Sequence, residues 1–435
     1  MKLFKAMVSK RVFYRETKFK ETPIGNIPEA WTIRRFPEVV FFQEGPGIRT
    51  KQYRRMGIPF LNIVCIKQNG QIDLTQAKYL EEKEVNEKYK HFLLEEADLV
   101  VSSSGTLGRC AEVRKEHLPL MLNTSIIRMR SASRELDRRF LKYFIRSSFY
   151  QKQIINAATG SAQKNYGPSH LKRMIIVLPT ILEQNAVVEI LSIVDLAIEK
   201  TDEIIARANR LKESLMQQLL TRGIGHTEYK DAPIGKIPKT WKVTTIDEEC
   251  SVGTGGTPAR NIAKYFGGDI PWAKSTEVDY NVITKTGETL TGQGLQNSNA
   301  QVYPAGSLVI ALYGQGRTRG KCAILGIDAA INQACAVIQS KGRIHIPYLF
   351  YWCQNSYSAI RGLSQGANQL NLNMGIIRSL QIPLPAISEQ KKITEILSTI
   401  DVKLKIEKNE KSKMERIKQG LMDLLLTGKI RIKVD

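Results

Sequence analysis

Pro23-Ile24-Gly25-Asn26-Ile27-Pro28-Glu29-Ala30-Trp31 returns as Pro233-Ile234-Gly235-Lys236-Ile237-Pro238-Lys239-Thr240-Trp241, an offset of 210 residues. Working outward, Leu178-Pro179 followed by Glu183-Gln184 recurs as Leu384-Pro385 followed by Glu389-Gln390, and Leu219-Leu220-Thr221 recurs as Leu425-Leu426-Thr427, both at offset 206. Three blocks in one order argue against chance and for a chain that repeats itself once. Between them the copies diverge, keeping only echoes such as Gly108-Arg109-Cys110 beside Gly320-Lys321-Cys322 and Asn123 beside Asn332. Matching ends with unlike middles describe two modules of one fold that carry different surfaces.

Each half closes on a proline-free stretch of helical periodicity, from Ile181 to Thr221 and from Ile387 to Thr427. In the first, Ile190, Val194, Ala197, Thr201, Ile204, Ala208, Leu211 and Leu215 alternate steps of four and three, a heptad seam. The second follows with Ile396, Ile400, Glu407, Met414, Ile417 and Leu421, and is polar in its middle around Lys403, Glu407 and Glu410. About 40 residues at 1.5 Å each make a rod of roughly 60 Å. We expect two rods packed antiparallel, with an oligomerisation coiled coil as the plainer alternative.

The expected class is α+β: two similar globular domains joined by two long antiparallel helices. The expected divisions are a basic N-terminal arm (1–20), a first head (21–180), a first rod (181–222), a linker (223–232), a second head (233–386), a second rod (387–428) and a C-terminal tail (429–435). The arm, with Lys2, Lys5, Lys10, Arg11, Arg15, Lys18 and Lys20, reads as a solvated tail. Expected strands are Leu61 to Ile66, Leu99 to Ser103, Ser125 to Met129, Ile175 to Leu178, Leu308 to Leu312, Ala334 to Gln339 and Leu380 to Leu384. Asp137 to Tyr150 and Tyr348 to Ser358 read as helices.

The chain has 435 residues, more than one core holds, and 64 Lys plus Arg against 42 Asp plus Glu leave a formal charge of +22. Such a surplus points to a polyanionic partner. No apolar stretch approaches the ~18 residues that span a bilayer and no signal segment opens the chain, so a cytoplasmic protein without a membrane role is expected. Six scattered cysteines without a C-x-x-C pair read as reduced structural thiols.

Catalytic signatures are missing. Gly253-Thr254-Gly255-Gly256 has Pro258 where a dinucleotide loop needs its third glycine, and Gly314 to Cys322 lacks the spacing and hydroxyl of a phosphate loop. Five isolated histidines offer no metal set, and no cofactor is expected. What remains are basic, glycine-punctuated loops whose residue types suit DNA: arginine forks onto guanine, amides pair with adenine, and lysine, serine and backbone amides hold phosphates. The candidates in the first half are Arg49, Lys51, Arg54, Arg55, Ser103, Ser104, Thr106, Arg109, Gln163, Lys164, Asn165 and Tyr166. Those in the second are Thr254, Thr257, Arg260, Lys274, Tyr313, Gln315, Arg317, Arg319, Gln369 and Asn371. Each loop alone reads more readily as an ordinary polar turn; six in matched places shift the balance.

The I-P-x-x-W motif at Ile27 to Trp31 and Ile237 to Trp241, the P-x-x-x-E-Q motif at Pro179 and Pro385, and the L-T-G motif at Leu426-Thr427-Gly428, interrupted by Arg222 in its first copy, resemble the DNA-specificity subunit of type I restriction–modification systems. The resemblance covers nearly the whole chain. The Gly45-Pro46-Gly47-Ile48-Arg49 and Gly255-Gly256-Thr257-Pro258 loops look like two of that family's recognition-domain types. The resemblance implies a non-catalytic subunit whose heads each read half of a split, asymmetric site in double-stranded DNA, with the rods as a ruler. It also implies docking of two methyltransferase subunits, with motor-nuclease subunits joining, and we expect the docking contacts at Glu183, Gln184, Glu389 and Gln390. Half-sites on one duplex face place the heads about 34 Å apart. The rival readings are a coiled-coil scaffold indifferent to DNA and the specificity region of a fused restriction–methylation enzyme.

Overall fold

The computed structural model describes residues 11–158, 165–314, 317–364 and 371–434. The chain forms two compact units: residues 1–202 with 409–435, and residues 203–408. The division falls within the rods, because each unit holds half of each long helix.

Those helices run Ile181–Arg222 and Ile387–Leu425. In the first unit Asp195 pairs with Lys418 at 2.5 Å and Asp202 with Lys411 at 2.6 Å. In the second Lys212 pairs with Asp401 at 2.6 Å. As one partner advances along the chain the other retreats by the same count, which defines antiparallel packing. The expected seam is correct at Ile190, Val194 and Thr201, all buried, then slips by one residue: Ile204 and Leu211 are exposed and Lys212 faces inward. Ile396 and Ile417 likewise point outward while Leu397 and Leu404 are buried. An α-helix has 3.6 residues per turn, so a strict 3.5-residue repeat drifts off a nearly straight contact.

Each unit is built on one sheet order. In the first, Val40–Glu44, Ile126–Ser131, Leu99–Ser102 and Cys110–Glu112 lie side by side, all antiparallel. In the second, Cys250–Thr254, Cys335–Ser340, Leu308–Ala311 and Cys322–Leu325 repeat that order, and Val282–Ile283 adds a parallel edge. The second unit also has a separate four-stranded sheet around Phe266–Ala273, which buries Trp272 completely. All six cysteines are buried and free.

Several expectations are corrected. Leu61 to Ile66 is no strand: Asn62 caps a 3₁₀ turn over Ile63–Cys65, and the strand lies before it at Ile58–Phe60. Asp137 to Tyr150 is two helices, Arg138–Arg146 and Ser148–Ala157, because Ser147 is extended and caps the second. Tyr348 to Ser358 divides similarly into Ile346–Asn355 and Tyr357–Gly362. The N-terminal arm is not a solvated tail from Arg11 onward: Phe13–Arg15 pairs with Ile430–Ile432 of the C-terminal tail, and Arg11 meets Glu189 at 2.5 Å. Within the expected linker, Tyr229–Ala232 forms a hairpin with Gly235–Pro238.

The three repeated motifs meet at one joint in each unit. In the first, Trp31 Nε1 donates to Glu183 Oε2 at 3.2 Å, and a Cβ on Gly428 would lie 2.3 Å from Pro28 Cγ. In the second, Trp241 Nε1 donates to Glu389 Oε2 at 3.0 Å, and a Cβ on Gly223 would lie 2.5 Å from Glu389 Oε1. Both glycines sit at φ near +70° just past a long helix, the left-handed position that ends it. The extra Arg222 therefore lengthens the first helix and leaves the stop intact.

Candidate nucleic-acid interface

Sheet register decides which loops share an end. In the first unit Ile127 pairs with Glu44, Ile126 with Ser102 and Val101 with Cys110. The loops after Glu44, after Ser102 and before Ile126 therefore leave from the same edge. Hydrogen bonds join them: Ser103 N donates to Ser125 O at 2.9 Å, Tyr166 N to Ser103 O at 3.0 Å, and Ser104 bridges Asn165. A Cβ on Gly45 would come within 2.5 Å of the Asn123 backbone, so this loop packs down only as glycine.

The second unit repeats the arrangement. Thr254 pairs with Ala336, Ala311 with Cys335 and Ile310 with Cys322, bringing the loops after Thr254, after Ala311 and before Cys335 to one edge. Leu312 N donates to Ala334 O at 2.8 Å and Leu372 N to Leu312 O at 3.1 Å. A Cβ on Gly255 would lie 1.6 Å from Ile331 O.

At the first edge Arg49, Lys51, Arg54 and Arg55 are exposed, together with Met56 at 80%. A short turn holds them: Arg49 N donates to Gln52 Oε1 at 2.9 Å and Arg54 Nη1 to Lys51 O at 3.1 Å. Thr106 and Asn165 are exposed and Ser104 is half-buried. Ser103 and Tyr166 do not reach the surface, which corrects their reading as contacts; Tyr166 lies 3.3 Å from Tyr150, hydroxyl to hydroxyl, inside the core. Arg109 is half-buried, with Nη1 on Ile66 O at 3.2 Å.

At the second edge Thr257 bonds the side chain of exposed Gln333, and Thr254 Oγ1 donates to Cys335 O at 2.8 Å. Arg260 stacks on Phe266 and Trp272, 4.9 and 4.8 Å from the ring centres. Glu288 binds both Arg260, at 2.5 Å, and Lys274, and these bonds hold its carboxyl below the usual carboxylate range. Tyr313, Arg317 and Asn371 are exposed. Arg319 is buried, so it does not stand at the surface as expected. Gln163, Lys164, Gln315 and Gln369 lie outside the described residues.

Met56, Gln333 and Glu288 escaped the sequence reading. The echo of Asn123 and Asn332 marked the turns that support both edges, yet nothing in it assigned a role to neighbouring Gln333.

The four expected docking residues require a correction. Glu183, Gln184 and Gln390 are buried, and Glu389 is nearly so. Gln184 Nε2 donates to Pro179 O at 3.0 Å and Glu135 O at 2.8 Å, while its Oε1 accepts from Asp137 N at 2.8 Å. Gln390 repeats this with Pro385 O, Arg343 O and His345 N at 2.9, 3.0 and 2.8 Å. With the carbonyl and the amino group of both glutamines engaged, Gln184 and Gln390 brace the joint from inside it.

Two heads of one topology, each joined to long antiparallel helices through the same motif residues and each ending in a different polar loop cluster, define a duplicated recognition scaffold. The chain belongs to the type I restriction modification DNA specificity domain family, which it matches over residues 28–210 and again over 238–416. It is 28% identical over 430 residues to a putative type I restriction enzyme MjaX specificity subunit of Methanocaldococcus jannaschii, covering 97% of this chain and 98% of that one. It is 24% identical over 220 residues to the EcoR124I/EcoR124II specificity subunit of Escherichia coli, about half of each chain. In fold it resembles the type I restriction–modification S subunit from M. genitalium, with a TM-score of 0.57, 16% identity, and coverage of 94% of this chain and 99% of that one.

Proposed function

We propose that this chain is the sequence-specific DNA-binding subunit of a type I restriction–modification complex, each head reading one half of an asymmetric bipartite site. The observation that carries this reading is the contrast within the repeat. The joints at Trp31 and Trp241 are built alike, while the loops gathered at the two sheet edges differ in length, charge and partners. Identical readers would give a symmetric site; unlike readers on matched supports give an asymmetric one. The exposed arginines and lysines supply the salt-dependent attraction to phosphates, and the supported polar side chains supply base contacts.

Methyl transfer and cleavage fall to separate subunits, two methyltransferases and a motor-nuclease. Docking of the methyltransferases moves from the buried glutamates and glutamines to outward apolar residues of the long helices, among them Leu196, Leu211, Val402 and Ile406, each 48–59% exposed. No helix among the described residues is long and apolar enough to cross a membrane, and the working compartment is the cytoplasm. The test is methylation of plasmids in cells carrying the complete system, read by sequencing. Adenine modification should occur at one bipartite motif and vanish when its unread spacer changes by one base pair. Modification indifferent to the spacer would overturn the ruler.

A further inference from the structure

Three side chains recur in each unit with the same atoms in the same roles. In the first, Tyr143 Oη donates to Asp195 Oδ2 at 2.8 Å, and Lys418 Nζ meets Asp195 Oδ1 at 2.5 Å. In the second, Tyr351 Oη donates to Asp401 Oδ2 at 2.7 Å, and Lys212 Nζ meets Asp401 Oδ1 at 2.6 Å. The long helices exchange parts: the first supplies the aspartate in one unit and the lysine in the other. Lys212 and Lys418 are 12% and 18% exposed, unusual for lysine. Burial pushes the Lys418 ammonium down and Asp195 opposes that shift. Lys212 also lies 5.3 Å over the Tyr351 ring.

The tyrosines sit on the head helices Arg138–Arg146 and Ile346–Asn355, whose N-terminal ends are tied by Gln184 and Gln390 to the starts of the long helices. Gln184 and Asp195, like Gln390 and Asp401, are separated by three helical turns to within about 20° and so share one face. Each head helix is thus fixed to its rod at two points. One attachment permits pivoting; two set the angle.

We propose that Tyr143–Asp195–Lys418 and Tyr351–Asp401–Lys212 are matched positioning clamps that hold each head at a fixed angle on the helix pair, and that this angle sets how strictly half-site spacing is read. The inference rests on the bipartite reading above. None of the six residues contacts a base; they act through the head they hold.

The experiment uses the full chain with its methyltransferase partners and a plasmid ladder in which the unread spacer is shortened or lengthened by one base pair. Tyr351→Phe and Tyr143→Phe remove one hydrogen bond each without changing shape, and Asp401→Asn removes the charge. The expected result is that the ratio of methylation at the native spacer to that at neighbouring spacers falls by about tenfold, with both half-site sequences unchanged. The double substitution Lys212→Asp with Asp401→Lys restores part of that ratio over Asp401→Lys alone. A ratio that stays at the wild-type value, including a uniform loss across all spacers, overturns the clamps. If the wild-type protein shows no spacer preference, the bipartite reading itself fails, a separate outcome.

Discussion

The indole of Trp241 donates its Nε1–H to Glu389 Oε2 at 3.0 Å, tying the opening of the second head to the first turn of a helix that begins well over a hundred residues later. Trp31 and Glu183 form the same bond at 3.2 Å. The remaining carboxylate capacity is filled differently. Glu389 Oε1 accepts from Ile224 N at 2.9 Å and lies 2.8 Å from His226 Nε2. Glu183 takes both arms of Arg431, at 2.9 and 2.8 Å. The residues that follow one long helix thereby lock the beginning of the other.

Arg431→Ala tests that lock. Glu183 is only 2% exposed, and removing its cation leaves a buried carboxylate whose remaining side-chain donor among the described residues is Trp31. Breaking a buried pair by deleting one partner costs about 3 kcal/mol. Hydrogen-exchange protection over residues 181–202 should fall by roughly a hundredfold, while residues 387–408 keep theirs. Arg431→Lys, which keeps the charge but not the two-armed geometry, should lose less.

Gly255→Ala addresses one reader. A methyl group there meets Ile331 O at 1.6 Å, so the loop must lift away at a cost of about 1–3 kcal/mol. Methylome sequencing should then show lost or relaxed recognition in one half of the motif, with the other half unchanged. Equal damage to both halves would contradict separate reading.

Much of this architecture was legible in the sequence because duplication makes motif residues stand out twice. Periodicity gave both long helices and the offset gave the repeated motifs and the paired loops, but not the joints where those motifs meet. What was not legible depended on the third dimension. Glu183 and Gln184 were expected as docking contacts at the start of the helix, and only the fold brings Trp31, Arg431 and Asp137 around them. Tyr166 stood in a polar loop next to Asn165, yet its ring turns inward onto Tyr150. The helical seam was read as a strict heptad, which hid the inward lysines. The strand at Phe13–Arg15 was invisible because its partner lies at the other end of the chain.

His345 gives the fold a measurable pH dependence. Burial, aided by nearby Lys391, lowers its imidazole below the ordinary value of 6.5. His117 is shifted in the same direction, also chiefly by burial. The folded protein therefore resists protons that the unfolded chain accepts. Their contribution is fully present above about pH 6.5 and is lost as the pH falls through the lowered folded values. Urea midpoints should decline between pH 7 and pH 5, and His345→Asn, which cannot titrate, should reduce that decline. A midpoint rising on acidification would contradict it.

Substitutions at Arg54, Arg55 and Arg260 test the proposed division between phosphate binding and base reading. Arg54 and Arg55 are exposed on the turn beside Gly57, where Arg54 is drawn only weakly to Glu81 at 3.9 Å. If these two meet phosphates, each alanine substitution lowers the slope of log affinity against log salt by roughly 0.9, equally on all sequences. Arg260 is held differently, stacked on Trp272 and paired with Glu288, and we propose that it reads a base edge. Arg260→Ala should cost about 1–3 kcal/mol on the cognate site and relax one position while leaving the salt slope nearly intact. Titrations of duplex at several salt concentrations, with cognate and single-substituted sites, read both effects. A changed slope for Arg260→Ala with every position equally weakened would move Arg260 to the phosphate contacts.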